Sequence, residues 1–144
     1  MSLVLDSNIL VKLVIAEPGS KEARTFVKSS LRKGYSLYSV DIAFAEGLNA
    51  IWKHARVHKD LRTANAKSAA RDLAKIYSKL NILMTGELYE EAMDIALRQN
   101  ITIYDSLYIA ASKKIGATLY TADQKLHNAL KGIAASKLLR LQLQ

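Results

Sequence analysis

The chain has 144 residues, half of them hydrophobic, a formal net charge of +8 and no cysteine. That length suits one domain with its own hydrophobic core, and the missing cysteines exclude disulfides, thiolate metal sites and cysteine nucleophiles. Because Asp6 and Lys12 interrupt the longest apolar run, we expect no membrane span of about 20 residues, and no targeting segment is evident. We therefore expect a soluble cytoplasmic protein, whose positive charge favours polyanions without naming one.

The first half of the chain alternates short apolar runs with longer stretches of helical periodicity. The predicted elements are a strand over 2–6, a short helix over 8–15 stopped by Pro18 and Gly19, a helix from a Ser20 cap to Lys33 stopped by Gly34, a strand over 35–39, and helices over 41–58 and 61–80. Few glycines and one proline interrupt this pattern, so no linker divides the chain.

The second half continues the same alternation of strands and helices. The predicted elements are a strand over 81–84, a helix capped by Thr85 and stopped by Asn100, a helix opened by Asp105 and stopped by Gly116, a strand over 117–121, a short helix opened by Asp123, and an edge strand over 138–143. Such alternation indicates crossover connections and a mostly parallel sheet. Sheets of this kind carry their sites beyond the carboxyl ends of the strands.

Four of the thirteen acidic residues stand in apolar surroundings. Asp6 closes the first strand, Glu46 is a lone charge in the apolar middle of its helix, Asp105 interrupts an apolar helix, and Asp123 follows a strand. Taking a carboxylate out of water is costly unless a partner compensates it. The other nine acids lie in polar stretches that explain them as solvated or helix-stabilising charges.

Three of these four acids also have an ordinary alternative. Asp105 and Asp123 could be helix N-caps, and Asp6 could fix the turn after its strand, whereas Glu46 has no capping role. If all four converge at one edge of the sheet, they either share protons or bind Mg²⁺ or Mn²⁺ through oxygen ligands. Such an ion activates water and stabilises a leaving oxygen, so the pattern favours phosphodiester cleavage.

Four segments in this order resemble a known family: LDSNIL, AEGLNAIWK, IYDSLYIAAS and LYTADQKL. They are similar to segments of the PIN-domain ribonucleases, especially the toxin of VapBC-type toxin–antitoxin pairs. The resemblance covers nearly the whole chain and implies a single domain over 1–144. It implies a three-layer α/β/α sandwich around a mostly parallel sheet of four to five strands, with the acidic positions of the family at Asp6, Glu46, Asp105 and Asp123.

The resemblance also implies an activity and partners. It implies a Mg²⁺- or Mn²⁺-dependent cut in RNA, endonucleolytic in type, in which water attacks phosphorus and leaves a 5′-phosphate and a 3′-hydroxyl. It implies a homodimer and a small antitoxin whose extended tail blocks the acidic pocket. Asn8 and Thr121 resemble supporting residues that orient a ligand or a metal-bound water. Gln124 and Lys125 stand where many relatives carry a further acid, so one ion or two remain open.

Other polar residues of the predicted third helix suggest contacts with RNA. Asn49, Lys53 and Arg56 follow Glu46 near one face, at offsets of three, seven and ten, and either contact the RNA backbone or form a solvated face. His54 and His58 have the spacing of a zinc pair, but no third ligand stands out, so we do not expect zinc.

Alternatives to a ribonuclease toxin stay open. They are a stand-alone RNA-processing nuclease, a non-catalytic RNA-binding or assembly subunit on the same fold, and a phosphatase with an aspartyl nucleophile. The phosphatase needs a second Asp two residues after the first, where this chain has Asn8. Because all four acids are present, an inactive subunit is not expected.

Overall fold

The computed structural model describes residues 1–140, in which five parallel strands form one sheet surrounded by seven helices. The strands are β1 (Ser2–Leu5), β2 (Ser36–Val40), β3 (Asn81–Leu83), β4 (Thr118–Thr121) and β5 (Ser136–Leu138). The helices are α1 (Ser7–Val14), α2 (Ser20–Arg32), α3 (Ile42–Arg56), α4 (Thr63–Lys79), α5 (Thr85–Gln99), α6 (Ile103–Ile115) and α7 (Gln124–Ala129). The predicted α/β class with a parallel sheet is confirmed.

The strand order β3-β2-β1-β4-β5 puts β1 at the centre of the sheet. The chain leaves β1 towards β2 and β3 on one side, and returns to β4 on the other side. Leu5 pairs with Tyr120 at the carboxyl ends of β1 and β4. The point between these two strands is where an open parallel sheet forms its crevice, and Asp6 and Asp123 follow these two strands.

The sheet is the middle layer of a three-layer α/β/α sandwich. Crossover connections between parallel strands are almost always right-handed. The connections from β1 to β3 therefore put their helices, α1 to α4, on one face of the sheet, and the return to β4 puts α5 and α6 on the other face. β1 and β4 are almost completely buried, as expected for apolar strands covered on both faces. No helix within residues 1–140 has the length and apolar character needed to span a membrane.

Two predicted N-caps are wrong by one position. Gly19, with a φ of 90°, is the N-cap of α2, and Ser20 is its first helical residue. The buried Ser20 hydroxyl donates to the Ile15 carbonyl at 2.7 Å, so it closes the preceding turn. Thr85 likewise follows its cap, and both its backbone N–H and its hydroxyl donate to the Asp41 carboxylate.

In the last third of the chain, one further predicted N-cap is wrong and two predicted helix ends are confirmed. Thr102, and not Asp105, is the N-cap of α6, because its side chain accepts a hydrogen bond from the Asp105 N–H. Asp123 does cap α7, and Asn100 and Gly116 end their helices with positive φ. The prediction of an edge strand over 138–143 is wrong in position.

The edge strand β5 lies earlier than its apolar sequence suggested. Backbone pairing with β4 sets its position, since Ser136 aligns with Leu119 and Leu138 with Thr121. Residues 139–140 are not strand, and 141–143 lie outside the described residues. The apolar run that attracted the prediction follows the strand because backbone hydrogen bonds fix the register of an edge strand that side-chain patterning specifies weakly.

Candidate active site

The structure brings the four acids together at the carboxyl edge of the sheet. Asp6 follows β1 directly, Asp123 follows β4 by two residues, Glu46 lies in the second turn of α3, and Asp105 lies in the first turn of α6. The charges of Glu46 and Asp105 act on Asp6, and the charge of Asp123 acts on Asp105. All four carboxylates therefore belong to one electrostatically coupled cluster, which we call the acid cluster.

Asp6 is the most enclosed member of the acid cluster, with 5% of its surface exposed. Its Oδ2 accepts hydrogen bonds from the Thr121 hydroxyl at 2.7 Å and from the Asn8 amide at 3.0 Å. The Asn8 Oδ1 accepts from the Ala122 N–H at 3.0 Å, and the Thr121 Oγ1 accepts from the Asp123 N–H at 3.0 Å. Asn8 and Thr121 therefore tie the ends of β1 and β4 together and orient two acids at once.

Burial raises the pKa of Asp6 from 3.8 to about 7, and the charges of Glu46 and Asp105 add to this rise against the opposing hydrogen bond from Thr121. Burial also raises the pKa of Asp105, as does the charge of Asp123. Within residues 1–140, no Lys, Arg or His forms an ion pair with any of the four acids. The charge of Lys125 lowers the pKa of Asp105 without forming an ion pair, so the described residues compensate the negative charge of the acid cluster only in part.

Sequence reasoning missed Tyr108, which it assigned to packing or base stacking. The ring is buried in the core, while the hydroxyl donates to the Glu46 Oε1 at 2.6 Å. Burial and the charges of Asp6 and Glu46 raise the pKa of Tyr108 well above 10, so the hydroxyl remains a donor. The available signal was its spacing, because Tyr108 stands three residues after Asp105 on one helix, near the same face.

Gly47 explains how α3 brings Glu46 close to the sheet. A Cβ added to Gly47 would lie 2.8 Å from the Leu73 Cδ2 and 3.7 Å from the Val11 Cγ2. Because no side chain fills this place, α3 packs tightly against α4 and α1 beside Glu46. Sequence reasoning did not single out this glycine, since its neighbours are distant in the chain.

The donor atoms of the acid cluster are of the kind that bind a divalent cation. Its donors are all carboxylate oxygens, which Mg²⁺ and Mn²⁺ prefer, and an ion would compensate carboxylates that form no ion pair among the described residues. As the side chains stand, no three His, Asp or Glu residues among 1–140 already form a closed set of ligands. Glu46 is engaged with Tyr108, and Asp123 accepts from the backbone N–H groups of Lys125 and Leu126.

The other predicted polar residues lie farther along α3. Asn49 and Lys53 are exposed, and Arg56 donates to the Thr63 hydroxyl at 3.2 Å. His54 is held by carboxylates on both ring nitrogens, Asp60 at Nδ1 and Glu17 at Nε2. Both ring nitrogens of His54 are therefore engaged by carboxylates, and His58 contacts its ring edge to face.

Comparisons with known proteins bear on the family and the fold of the chain. A family model described as PIN domain matches residues 3–131. Ribonuclease VapC3 of Pyrobaculum aerophilum is 32% identical to this chain over 126 residues, which cover 88% of this chain and 92% of the relative.

Solved structures share the fold over nearly the whole length. The crystal structure of PAE2754 from Pyrobaculum aerophilum is 25% identical, covers 94% of this chain and 89% of its own, and has a TM-score of 0.69. A toxin–antitoxin complex from Klebsiella pneumoniae is 14% identical, covers 97% and 99%, and has a TM-score of 0.68. At that level of identity, the second structure shows the fold alone.

Proposed function

This chain belongs to the PIN-domain family, and on that premise we propose that it is a metal-dependent ribonuclease and the toxin of a toxin–antitoxin pair. The observation that carries the activity is the acid cluster, with four carboxylates at the crevice of the sheet and no ion-pair partner within residues 1–140. A relative 32% identical to the chain is named a ribonuclease, which supports RNA as the substrate.

We assign metal binding to the acid cluster, with Asp6, Glu46, Asp105 and Asp123 as the residues that would hold Mg²⁺ or Mn²⁺. When bound, the ion supplies charge compensation for a phosphate oxygen and lowers the pKa of an attacking water. Asn8, Thr121 and Tyr108 hold the carboxylates of Asp6 and Glu46 by hydrogen bonds. These bonds fix the acids before substrate arrives, so less ordering is needed during the reaction.

The reaction that fits this site is hydrolysis within an RNA chain. Water attacks phosphorus, the bond to the 3′-oxygen breaks, and the products carry a 5′-phosphate and a 3′-hydroxyl. No side-chain nucleophile is needed, and Asn8 stands where an aspartyl phosphatase requires its second Asp. Gln124 and Lys125 are exposed and follow Asp123, so we propose one firmly held ion and leave a second to the substrate-bound state.

The experiment that tests the activity uses the purified protein and labelled RNA. We expect cleavage with Mg²⁺ or Mn²⁺ and none with excess EDTA. Asp6→Asn and Asp105→Asn should remain folded and lose at least about 100-fold in rate, a loss typical of removing one charge-stabilising group from an active site. Asp94→Asn, an exposed acid on α5, is the control with the same charge change and should keep full activity.

Two results would contradict the proposal. If the Asp6 and Asp105 variants cut RNA as well as the parent, the acids are structural. If the parent binds RNA but never cuts it with either metal, the chain is a binding subunit on the same fold. Mapping the cut ends would separate internal cleavage from stepwise removal of terminal nucleotides.

For the antitoxin we propose a docking place on the opposite side of the fold from α5. An apolar groove of about 440 Å³ lies between α2 and α4. Its apolar lining includes Leu13, Val27, Leu31, Leu37, Ile76 and Leu80, and its cations are Arg24, Lys28 and Lys79. This combination fits an amphipathic segment with acidic residues from a small partner.

Co-purification from the native host tests this partner. We expect a small protein with an acidic amphipathic segment that Leu31→Glu releases, while Leu97→Glu on the far face of the molecule does not. A chain that purifies alone, cuts RNA and is harmless when overexpressed would instead be a stand-alone RNA-processing enzyme. For either enzyme, we propose a location in the cytoplasm.

We also propose that the protein is a homodimer. Tyr89, Met93 and Leu97 recur every four residues on α5, and all three are about half exposed or more. An exposed apolar stripe of this kind is typical of a surface that another chain covers. Sedimentation should show a dimer for the parent and a monomer for Met93→Glu, and a monomeric parent would refute this assignment.

A further inference from the structure

Positive charge in this chain is concentrated in the α3–α4 hairpin. Residues 53–79 carry eight Lys and Arg against two Asp, a net charge of +6 out of the +8 of the whole chain. The rest of the sequence has thirteen Lys and Arg against eleven acids and is nearly balanced. The basic character noted from composition is therefore a local property of one hairpin.

Within this hairpin, α4 carries a regular row of cations. Lys67, Arg71, Lys75 and Lys79 follow one another at intervals of four residues, and all are exposed. In an α-helix this spacing puts neighbouring members about 6 Å apart along the axis. Helical geometry centres the row directly opposite Ala69 and Leu73, the buried residues of α4. We call these four residues the α4 ridge.

The α4 ridge forms no ion pair in the part of the chain that the structure describes. Within residues 1–140, none of its four members donates a hydrogen bond to a side chain or forms an ion pair. Like charges at this spacing destabilise an isolated helix, and Asp72 is the only acid on α4. Ordinary solvated surfaces mix both signs, as where Glu91 of α5 pairs with Lys113 of α6. A row of one sign is the kind of surface that attracts a polyanion.

The α4 ridge lies on a helix that packs beside the helix carrying Glu46 of the acid cluster. Phe44 stacks on Tyr77 with ring centroids 5.1 Å apart, so the C-terminal half of α4 lies beside the segment of α3 that carries Glu46. The acid cluster itself repels phosphates, so cations elsewhere must supply most of the attraction for RNA. The ridge spans about 18 Å, the length of about five phosphates along one strand.

We propose that the α4 ridge binds the phosphodiester backbone of the substrate RNA at a second place, outside the acid cluster. This inference rests on the proposed ribonuclease function and narrows its substrate class. The substrate is an RNA that is long or folded enough to reach the ridge and the acid cluster together. A short oligonucleotide cannot contact the ridge and the acid cluster together, so the ridge does not assist its cleavage.

The test removes ridge charges without touching the acid cluster. The variant Lys67→Gln, Arg71→Gln, Lys75→Gln keeps good helix formers and leaves Lys79, which also lines the apolar groove. Binding is measured in EDTA with a hairpin RNA of about 60 nucleotides and an RNA of about six, which spans only about 20 Å. The hairpin RNA should bind at least about tenfold more weakly, and the slope of log affinity against log salt should fall by about 2 to 3.

The control has the same charge change at another surface. Arg32→Gln, Lys33→Gln, Lys131→Gln removes one Arg and two Lys that are also exposed. The inference holds if the ridge variant alone loses affinity and raises KM for the hairpin RNA, with kcat and the cleavage of the short RNA unchanged. It is overturned if both variants lose the same affinity for the hairpin RNA, or if neither variant loses any. It is also overturned if the ridge variant binds the hairpin RNA normally and loses only its binding of an acidic protein partner.

Different results would contradict the proposed nuclease function and the proposed binding of RNA by the α4 ridge. If the parent binds the hairpin RNA through the ridge but cuts neither RNA, the nuclease function fails and the binding surface stands. If the parent cuts both RNAs and the ridge variant binds and cuts the hairpin RNA equally well, the ridge is only a solvated face and the nuclease function stands.

Discussion

Opposing physical effects act on the ionised form of the Asp6 side chain. It is buried, it receives two strong hydrogen bonds from Thr121 and Asn8, and it lies near other negative charges. The hydrogen bonds favour the carboxylate, whereas burial and the charges of Glu46 and Asp105 oppose it. The opposing effects are larger, so the folded protein holds a proton on Asp6 up to about pH 7.

This balance predicts how Asp6→Asn changes stability with pH. Because the pKa in the folded protein, about 7, exceeds the ordinary 3.8, ionised Asp6 destabilises the fold progressively above pH 4 and fully above pH 7. In EDTA, Asp6→Asn should therefore raise the free energy of unfolding by up to about 4 kcal/mol at pH 8, which is up to about 2.5 kcal/mol more than at pH 5. Urea denaturation at both pH values measures this, and an equal effect at both would contradict it.

Tyr108 offers a second prediction at the same scale. Tyr108→Phe keeps the buried ring and removes the hydrogen bond to Glu46. We expect the fold to persist and the metal affinity or the rate to fall by about 10- to 100-fold, as for other groups that orient a ligand. Titrating activity with Mn²⁺ measures this loss. Tyr104→Phe, on the same helix but 57% exposed, should behave as the parent, and equal behaviour of both variants would remove Tyr108 from the site.

The sequence could single out the acids and could not single out their partners. Asp6 and Glu46 stood out because each is a charge among apolar neighbours, which is a local property. Tyr108 contacts Glu46 across 62 positions of the chain, and Gly47 matters through Leu73 on another helix. Such contacts exist only once helices pack, so no spacing within one segment specifies them.

The ends of α1 and α3 are joined by a charged network around His54. Glu17 follows α1 and accepts from both Lys12 and His54, and Asp60 follows α3 and binds the other ring nitrogen of His54. Burial alone would lower the pKa of His54, but the hydrogen bonds and charges of Asp60 and Glu17 together raise it above 6.5. His58 contacts the His54 ring edge to face at 5.3 Å.

This network predicts a pH-dependent cost for His54→Gln. A histidine whose pKa is raised on folding stabilises the protein fully below pH 6.5 and loses this contribution as pH rises through its folded pKa. We expect the substitution to cost about 1–3 kcal/mol at pH 6, the range for a hydrogen bond to a charged group, and less at pH 9. His58→Gln is the control, and thermal unfolding of both variants at the two pH values decides the matter.

At the level of elements, local chemistry predicted most boundaries and failed where a neighbour intervened. Asn100 and Gly116 end their helices as their backbone preferences indicate. Asp105 was expected to open α6, but Thr102 caps it three residues earlier. Thr85 was expected to cap α5, but its hydroxyl and N–H serve Asp41 at the end of β2. In the last case, a tertiary contact redirects a good capping residue.

At the scale of the whole molecule, metal binding should stabilise the fold. An ion that binds only the folded chain adds about 2.7 kcal/mol at a concentration about 100-fold above its Kd, which raises Tm by several degrees in a domain of this size. Differential scanning fluorimetry with Mg²⁺ and Mn²⁺ measures the shift. Asp94→Asn should shift like the parent and Asp105→Asn should not. A parent with no shift would exclude metal binding to the free protein.

The fold class could be predicted from the sequence, whereas the order of the strands in the sheet could not. Alternating strands and helices already indicate a parallel sheet, and the family resemblance implies three layers. The strand order, with β1 between β2 and β4, decides which acids meet, and it depends on pairing between segments far apart in the chain. The concentration of positive charge between Lys53 and Lys79 is legible in the sequence, but its place opposite the buried face of α4 depends on how that helix packs.

The central position of β1 also fixes when the acid cluster can form during synthesis. Asp6 is made among the first residues, yet its hydrogen-bond partner Thr121 comes 115 positions later. At about 5–20 residues per second, Asp123 follows Asp6 by about 6–25 s. During that interval the growing chain already carries the cationic hairpin but not its complete acid cluster. The acid cluster is therefore complete only after β4 has been translated and has paired with β1.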